Sequence, residues 1–402
     1  MKILWVKSDF LHPTTKGGHI RTLEMLRQMH KRHEIHYVAC HDGQSKTGLE
    51  RAGEYCTQAY PVQFKVSAKG SWEFYRDALL SLLSPMPVHV SRWRSNEMRR
   101  VVSELLEREK FDALVCDFLT PSLNLPKLED WVLFQHNVEV MIWRRHAANA
   151  GNPLRRWYFR SQAQRLFRYE RDICRRVKRV IAVSEADAQM MRRMFGASRV
   201  NAIPTGVDVN YFMPPDVPVT KKSDLIFVGS MDWAPNVDGI LYFVREIWPL
   251  IQRKRPGSTL DIVGRSPDAS ILKLAEGNAH IRVRGTVPDV RPYLWGACVS
   301  VVPLRIGGGT RLKIYESMAA QVPVVSTTIG AEGLEVQAGE NIHIADSPEE
   351  FAHRCLELLE QQSEQARLAN NAREMIQKRF SWDQVARMFE QLLSLQSGSR
   401  VA

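Results

Sequence analysis

No apolar run reaches the roughly 18 residues that a membrane-crossing helix needs, although the chain is 402 residues long. Cysteine is scarce and scattered: Cys40, Cys56, Cys116, Cys174, Cys298 and Cys355 show no CxxC spacing. That pattern argues against a zinc framework or a disulfide scaffold and for a reduced compartment. His136 has no second histidine or Asp/His pair beside it at ligand spacing, so no metal site is expected there. The opening MKILWVKSDF enters a strand after one lysine and lacks the apolar core of a signal peptide. A cytoplasmic protein is therefore expected. Neither an RNP-like aromatic motif nor a zinc-finger pattern is present, which leaves no nucleic-acid partner indicated.

Acidic residues are in deficit only in the first half. Residues 1–205 hold 34 Lys and Arg against 21 Asp and Glu, and the remainder holds 21 against 23. One half thus carries the whole basic excess of a chain whose net charge is +11. Such a domain suits an anionic membrane surface or a phosphorylated acceptor. The densest basic segment, Arg155 to Arg179, has Trp157, Leu166, Ile173 and Val177 at helical spacing. They are expected to pack inward and leave the arginines as a solvated face or a lipid-facing patch.

A chain of this length exceeds what one core supports, so two domains are expected. Apolar strand-like runs alternate with helical patterns: Lys2–Val6, Ile35–Cys40, Ala113–Asp117, Val132–Gln135 and Val180–Ser184 come first. Leu225–Gly229, Leu260–Gly264, Ile281–Val283, Val299–Pro303, Val322–Ser326 and Ile342–Ile344 follow. This alternation predicts parallel sheets covered by helices on both faces. The polar, proline-bearing stretch Pro204 to Asp224 separates the two sets. The expected division is a first Rossmann-like domain over 1–205, a second over 206–380, and a terminal segment, 381–402, packing back on the first. Ligands in doubly wound domains sit beyond the carboxyl ends of the strands, and a cleft faced by both domains is the expected site.

The most informative segment is VSVVPLRIGGGTRLKIYESMAAQVPVVSTTIGAEGL, residues 299–334. A strand ends in Gly307, Gly308 and Gly309, and a helix is predicted to open at about Thr310, carrying Arg311, Lys313 and Glu316. Glycine backbone amides at a helix N-terminus favour an anion, and two cations strengthen the site. Glu316 is an acceptor suited to ribose or sugar hydroxyls. Two further strand-to-glycine turns precede it, at Gly229-Ser230 and Gly264-Arg265. The set predicts a nucleotide diphosphate sugar site in the second domain. In the first, Gly17 and Gly18 follow strand one and either approach a phosphate or form an ordinary turn. His136 follows the strand WVLFQ and either touches a sugar or caps the next helix, a role Asn137 would fill better.

In this order the pieces resemble retaining glycosyltransferases of the GT-B fold, family 4 (glycosyl transferases group 1). The resemblance rests on Gly17-Gly18, His136-Asn137, VIAVSEAD (180–187), AIPTGVDVNYF (202–212), FVGSM (227–231), IVGR (262–265), RGTVPDVRPYL (284–294) and the block 301–334. It implies an α/β architecture of two doubly wound Rossmann-like domains facing a cleft, the first binding acceptor and the second donor. It also implies transfer of a sugar, with retention, from a nucleotide diphosphate sugar to a glycan or lipid-linked glycan, as in surface polysaccharide assembly. The enzyme would work without a metal or other cofactor; the basic first domain, and not the resemblance, favours a peripheral place for this cytoplasmic protein on the inner face of the plasma membrane.

By the same resemblance Glu316 holds the donor ribose, with Gly17, Gly18, Gly229, Ser230, Gly264, Arg265, Gly308, Gly309 and Thr310 also on the donor. His136, Arg311 and Lys313 act in catalysis. The chain departs from the family pattern at Gly308, where a second glutamate is usual, and at Ser230 and Asn236, where cations are usual. Arg311 and Lys313 are the expected substitutes. An inactive binding scaffold and a nucleotide-sugar epimerase of the same fold are the alternatives. An acidic and histidine set for epimerisation is not evident, and no lysine stands in a context that suits pyridoxal phosphate and phosphorolysis.

Overall fold

Val- and Ile-rich runs buried on both faces pair as parallel strands when helices return the chain to the same end. The computed structural model describes residues 1–14, 17–43, 47–64, 66, 71, 72, 76, 81, 84–217, 219–231, 233–306 and 312–394, and in it this happens twice. The first sheet holds β1 (Lys2–Lys7), β2 (Glu34–His41), β3 (Gln58–Gln63), β4 (Ala113–Asp117), β5 (Trp131–Gln135), β6 (Arg179–Ala182) and β7 (Val200–Ala202). Its order is β3-β2-β1-β4-β5-β6-β7, parallel throughout. The second holds β8 (Ser223–Val228), β9 (Leu260–Val263), β10 (Ile281–Gly285), β11 (Ala297–Val302), β12 (Val324–Ser326) and β13 (His343–Ile344). Its order, β10-β9-β8-β11-β12-β13, is again parallel.

The chain divides into two units, one of Met1–Pro204 with the segment from Val385 onward, the other of Thr205–Gln384. In each sheet the strand order reverses beside its first strand, at β1/β4 and at β8/β11. Helices diverge there to opposite faces and leave a crevice beyond the strands' carboxyl ends. The core of the first unit includes Leu4, Val6, Val38, Leu133 and Val180, and one core cluster of the second includes Leu225, Phe227, Leu260, Ile262 and Val299.

Local chemistry fixes the helices that matter for the sites. Helix α1 (Gly17–His30) follows β1. Helix α2 (Glu139–Asn149) follows β5, and α3 (Pro153–Arg176) follows α2 across a short turn. Asn152 caps α3, its Oδ1 accepting from the amides of Leu154 at 2.8 Å and Arg155 at 3.3 Å, with Pro153 in the first turn. In the second unit α4 (Ala234–Tyr242) follows β8, and α5 (Leu312–Ala319) follows β11. The last helix, α6 (Trp382–Ser394), belongs to the first unit from Val385 on. There Phe389 packs on Trp5 and Phe134, with ring centroids 5.5 and 5.1 Å away, and Glu390 pairs with Arg32 at 2.8 Å.

Three details depart from the sequence reading. Gly17 and Gly18 form the first turn of α1 and not an ordinary turn between strand and helix. Strands β3 and β7 are further edge strands, and Pro61, which interrupts the apolar pattern of β3, is tolerable only because an edge strand has one unpaired side. Trp157 does not pack inward: it is 56% exposed, because the core beneath α3 starts only at Gln162 and Ala163.

Candidate active site

Residues at the carboxyl end of β8 and the start of α5 converge in the second unit. Lys313 Nζ donates to Asn236 Oδ1 at 2.6 Å and lies 4.5 Å from the centre of the Phe227 ring. Asn236, itself buried, passes the contact on: its Nδ2 donates to the Ser230 carbonyl at 2.7 Å. Arg265 Nε donates to Ser230 Oγ at 2.8 Å. Four side chains, two from the first turns of α4 and α5 and two from the loops after β8 and β9, are thus tied around the turn after β8.

Two glycines make this packing feasible. A Cβ on Gly229 would lie 2.6 Å from Lys313 Nζ and 2.8 Å from Asn236 Nδ2. One on Gly264 would fall 1.7 Å from the Gly229 carbonyl oxygen, inside a neighbouring backbone. Gly229 is therefore small to admit side chains, and Gly264 to let two loops touch.

Glu316, one turn beyond Lys313 on α5, is half-buried. Burial raises its pKa above the usual carboxylate value, and the Lys313 charge works against that rise. Among the described residues no donor is hydrogen-bonded to its carboxylate. A carboxylate so placed has acceptor capacity for hydroxyls. Gly308, Gly309, Thr310 and Arg311 lie outside the described residues.

In the first unit a different group has assembled at the β1/β4 crevice. Lys7 and Asp117, 1% and 0% exposed, form an ion pair at 2.9 Å at the ends of β1 and β4. Asp117 also accepts from Trp5 Nε1 at 3.0 Å and Thr22 Oγ1 at 2.8 Å. His136 Nε2 lies 2.8 Å from the other carboxylate oxygen, and its Nδ1 lies 3.4 Å from Arg21. The imidazole stacks on Phe118 with centroids 4.0 Å apart and planes at 4°.

Burial is the main cause that pushes the His136 pKa down, to about 3; Asp117 opposes it, while Lys7 and Arg21 reinforce it. His136 is neutral at pH 7, so Nε2–H donates to Asp117 and Nδ1 is an acceptor. Burial alone would raise the Asp117 pKa, but Lys7 and then His136 outweigh it and hold the carboxyl below its usual range.

Gly18 sits against this stack: a Cβ there would meet the tip of the Phe118 ring at 2.6 Å. Phe118 itself has a left-handed backbone, with φ of 74°, a conformation that is costly for an aromatic residue and held here by its surroundings.

Neither His136 nor Asn137 caps α2. The cap is the carboxylate of Glu170 on α3, fully buried, which accepts from the amides of Glu139 and Val140, each at 2.9 Å, and from Gln135 Nε2 at 3.0 Å. Burial raises the Glu170 pKa to about 8 despite these donors. Lys7, Asp117, Phe118 and Glu170 were not among the residues singled out by sequence. Charged residues at the ends of buried strands were the available signal for the first two.

Among the described residues no group of three or more His, Cys, Asp or Glu could hold a metal ion. No helix of the described residues is long and apolar enough to cross a membrane.

Comparison with known proteins gives a consistent result. Residues 15–211 match the family described as Glycosyltransferase Family 4, and residues 222–361 match Glycosyl transferases group 1. A 44.6 kDa protein encoded in the cps region of Klebsiella pneumoniae is 22% identical over 395 residues, covering 94% of this chain and 96% of that protein. The crystal structure of Anabaena Alr3699/HepE in complex with UDP and glucose is similar with a TM-score of 0.64 at 15% identity, over 98% of this chain and 100% of that one. Sucrose-phosphate synthase from Thermosynechococcus elongatus gives 0.66 at 17% identity, over 99% and 100%. With its two parallel sheets and interspersed helices, the chain has the GT-B fold of these glycosyltransferase structures. The chain is a member of the group 1, family 4 glycosyltransferases.

Proposed function

We propose that this glycosyltransferase moves a hexosyl group, with retention of anomeric configuration, from a nucleotide diphosphate sugar to a glycan or lipid-linked glycan. The observation that carries the proposal is the Lys313 ammonium fixed on Asn236 beside Gly229, one turn from a half-buried Glu316 that has acceptor capacity to spare. A diphosphate leaving group needs fixed positive charge, and a ribose needs a carboxylate; helix α5 offers both on one face. Support for a nucleotide-sugar donor comes from the HepE structures, in complex with UDP and with UDP-glucose. The cps-region relative supports a role in surface polysaccharide assembly.

In the proposed mechanism the bond from the anomeric carbon to the diphosphate oxygen breaks while the acceptor oxygen bonds to the same face of that carbon. The departing phosphate takes the acceptor proton. Lys313, Arg311 and the amides of Gly308, Gly309 and Thr310 stabilise the charge that develops on the leaving oxygens, without a metal ion. Ser230, Gly229, Gly264 and Arg265 shape the donor site, and Glu316 accepts from the ribose. Lys313 takes the place of the cations that Ser230 and Asn236 do not supply. For the first unit the proposal is acceptor binding, with Gly17 and Gly18 towards the sugar and buried, neutral His136 acting behind them, holding the end of β4 in place through Asp117 and Phe118.

The test is to incubate the protein with UDP-, GDP-, ADP- and dTDP-hexoses and a lipid-linked glycan extract, then assign the product's anomeric configuration by NMR. Retention is expected from one donor class. An inverted product contradicts the mechanism, and epimerised donor without transfer favours the epimerase.

A further inference from the structure

The tip of the α2–α3 hairpin of the first unit is not explained by core packing. Between Val140 and Tyr169 the sequence has seven arginines and no acidic residue. Arg144, Arg145, Arg155, Arg156, Arg160 and Arg168 are exposed, and among the described residues none of these six forms an ion pair. Over residues 153–161, the first two turns of α3, no residue is buried. The tip is held by aromatic contacts instead: Phe159 meets Trp143 and His146, with centroids 6.0 and 5.6 Å away.

Helical geometry then places the apolar residues. The buried side chains of α3 are Gln162, Ala163, Leu166, Glu170, Ile173 and Cys174. At about 100° per residue, Leu154 and Trp157 fall on the opposite face, with Arg168 further along it. Leu154 is 72% and Trp157 56% exposed, which solvent alone does not favour for residues of that size. A shallow groove between the two helices, lined by Arg144, Ala147, Arg160, Ala163 and Phe167, lies alongside.

We propose that this hairpin docks the protein on an anionic phospholipid surface. Leu154 and Trp157 enter the headgroup region, and the arginines around them, Arg144 and Arg160 in the groove included, pair with lipid phosphates. Two features select a bilayer over other anions: an exposed apolar pair at the tip of an arginine-rich hairpin, and an absence of acidic side chains over the same stretch. The inference adds a named docking element to the proposed function and stands without it, because lipid binding is read without turnover.

The experiment is flotation of the full chain with vesicles of phosphatidylcholine alone and of equimolar phosphatidylcholine and phosphatidylglycerol, at low and high salt. Two variants are compared, R155E/R156E/R160E and L154S/W157S, with far-UV circular dichroism checking the fold. Binding to the anionic vesicles only, weakened by salt, is expected. At roughly fivefold per arginine the first variant lowers the partition coefficient by about 100-fold or more, and the second also lowers it. No binding to anionic vesicles, or binding that neither variant changes, overturns the proposal. So does loss in the first variant alone together with equal affinity for a duplex oligonucleotide, which marks a general polyanion surface.

Discussion

Lys313 reaches 77 residues back along the chain to donate its Nζ proton to Asn236 at 2.6 Å, over the face of Phe227. Asn236 in turn is anchored on the Ser230 carbonyl. The cation is therefore held in place before any donor arrives, the condition under which a charge stabilises a leaving group without reorganisation. Lys313→Ala is expected to lower kcat/KM by about 100-fold or more, the equivalent of roughly 3 kcal/mol. Asn236→Ala removes one partner of the ammonium without removing the charge and should cost less. Initial rates with the preferred donor, beside thermal midpoints, measure both; equal losses would mean that Asn236 has its own contact.

The two turn glycines should fail in different ways. In Gly229→Ala the new methyl meets the ends of the Lys313 and Asn236 side chains, which can swing aside. Turnover should then fall at least about tenfold with little change in stability. In Gly264→Ala the methyl meets the Gly229 carbonyl itself, so the backbone must move. A loss of about 3 kcal/mol in unfolding free energy is expected there. Denaturant titrations and rates on both variants separate the cases.

Buried Lys7 and Asp117 predict a large single-variant effect. Asp117→Asn leaves the Lys7 ammonium unpaired at 1% exposure and should cost about 3–5 kcal/mol. Lys7→Met combined with Asp117→Leu should recover much of that, since neither charge is then stranded. Urea unfolding of the two variants is the check, and a double variant no better than the single one would point to the Trp5, Thr22 and His136 contacts instead.

His136 gives a pH dependence with a definite sign. Its folded pKa, about 3, lies below the ordinary value of 6.5. Below pH 6.5 the unfolded chain takes up a proton that the folded one refuses, so acidification from 6.5 towards 3 removes stability. The slope from this group is about 1.4 kcal/mol per pH unit. Glu170 works in the opposite sense, because its raised folded pKa favours the protonated folded state between the ordinary carboxyl value and about 8. The observable is thus a difference: His136→Gln, which still offers Asp117 a donor, should gain on the wild type as pH falls through this window. Parallel curves would place His136 in a more polar setting.

Much of the architecture was legible because parallel strands buried on both faces announce themselves as apolar runs. Ala113–Asp117 is read directly, and the glycine turns after β8 and β9 are marked by their residues. Lys313 and Glu316 could be placed on one helix because their spacing puts them on one face. What was hidden depends on distant partners. Trp157 obeys the same helical spacing as Leu166, and only the end of the core at Gln162 leaves it outside. Glu170 lies 31 residues from the amide it caps, so no local pattern reports it. The Asp117–His136 contact joins two strand ends that become neighbours only when β4 and β5 pair.

The most direct test of the central claim, that the second unit binds a nucleotide diphosphate sugar through Glu316 and Lys313, is a thermal-shift panel. UDP, GDP, ADP and TDP are each added to the wild type and to Glu316→Ala. A nucleotide at 100 times its dissociation constant stabilises the fold by about 2.7 kcal/mol. The account predicts a shift with one nucleotide that Glu316→Ala abolishes. A folded wild type that shifts with none of them, or a variant that shifts as the wild type does, would contradict it.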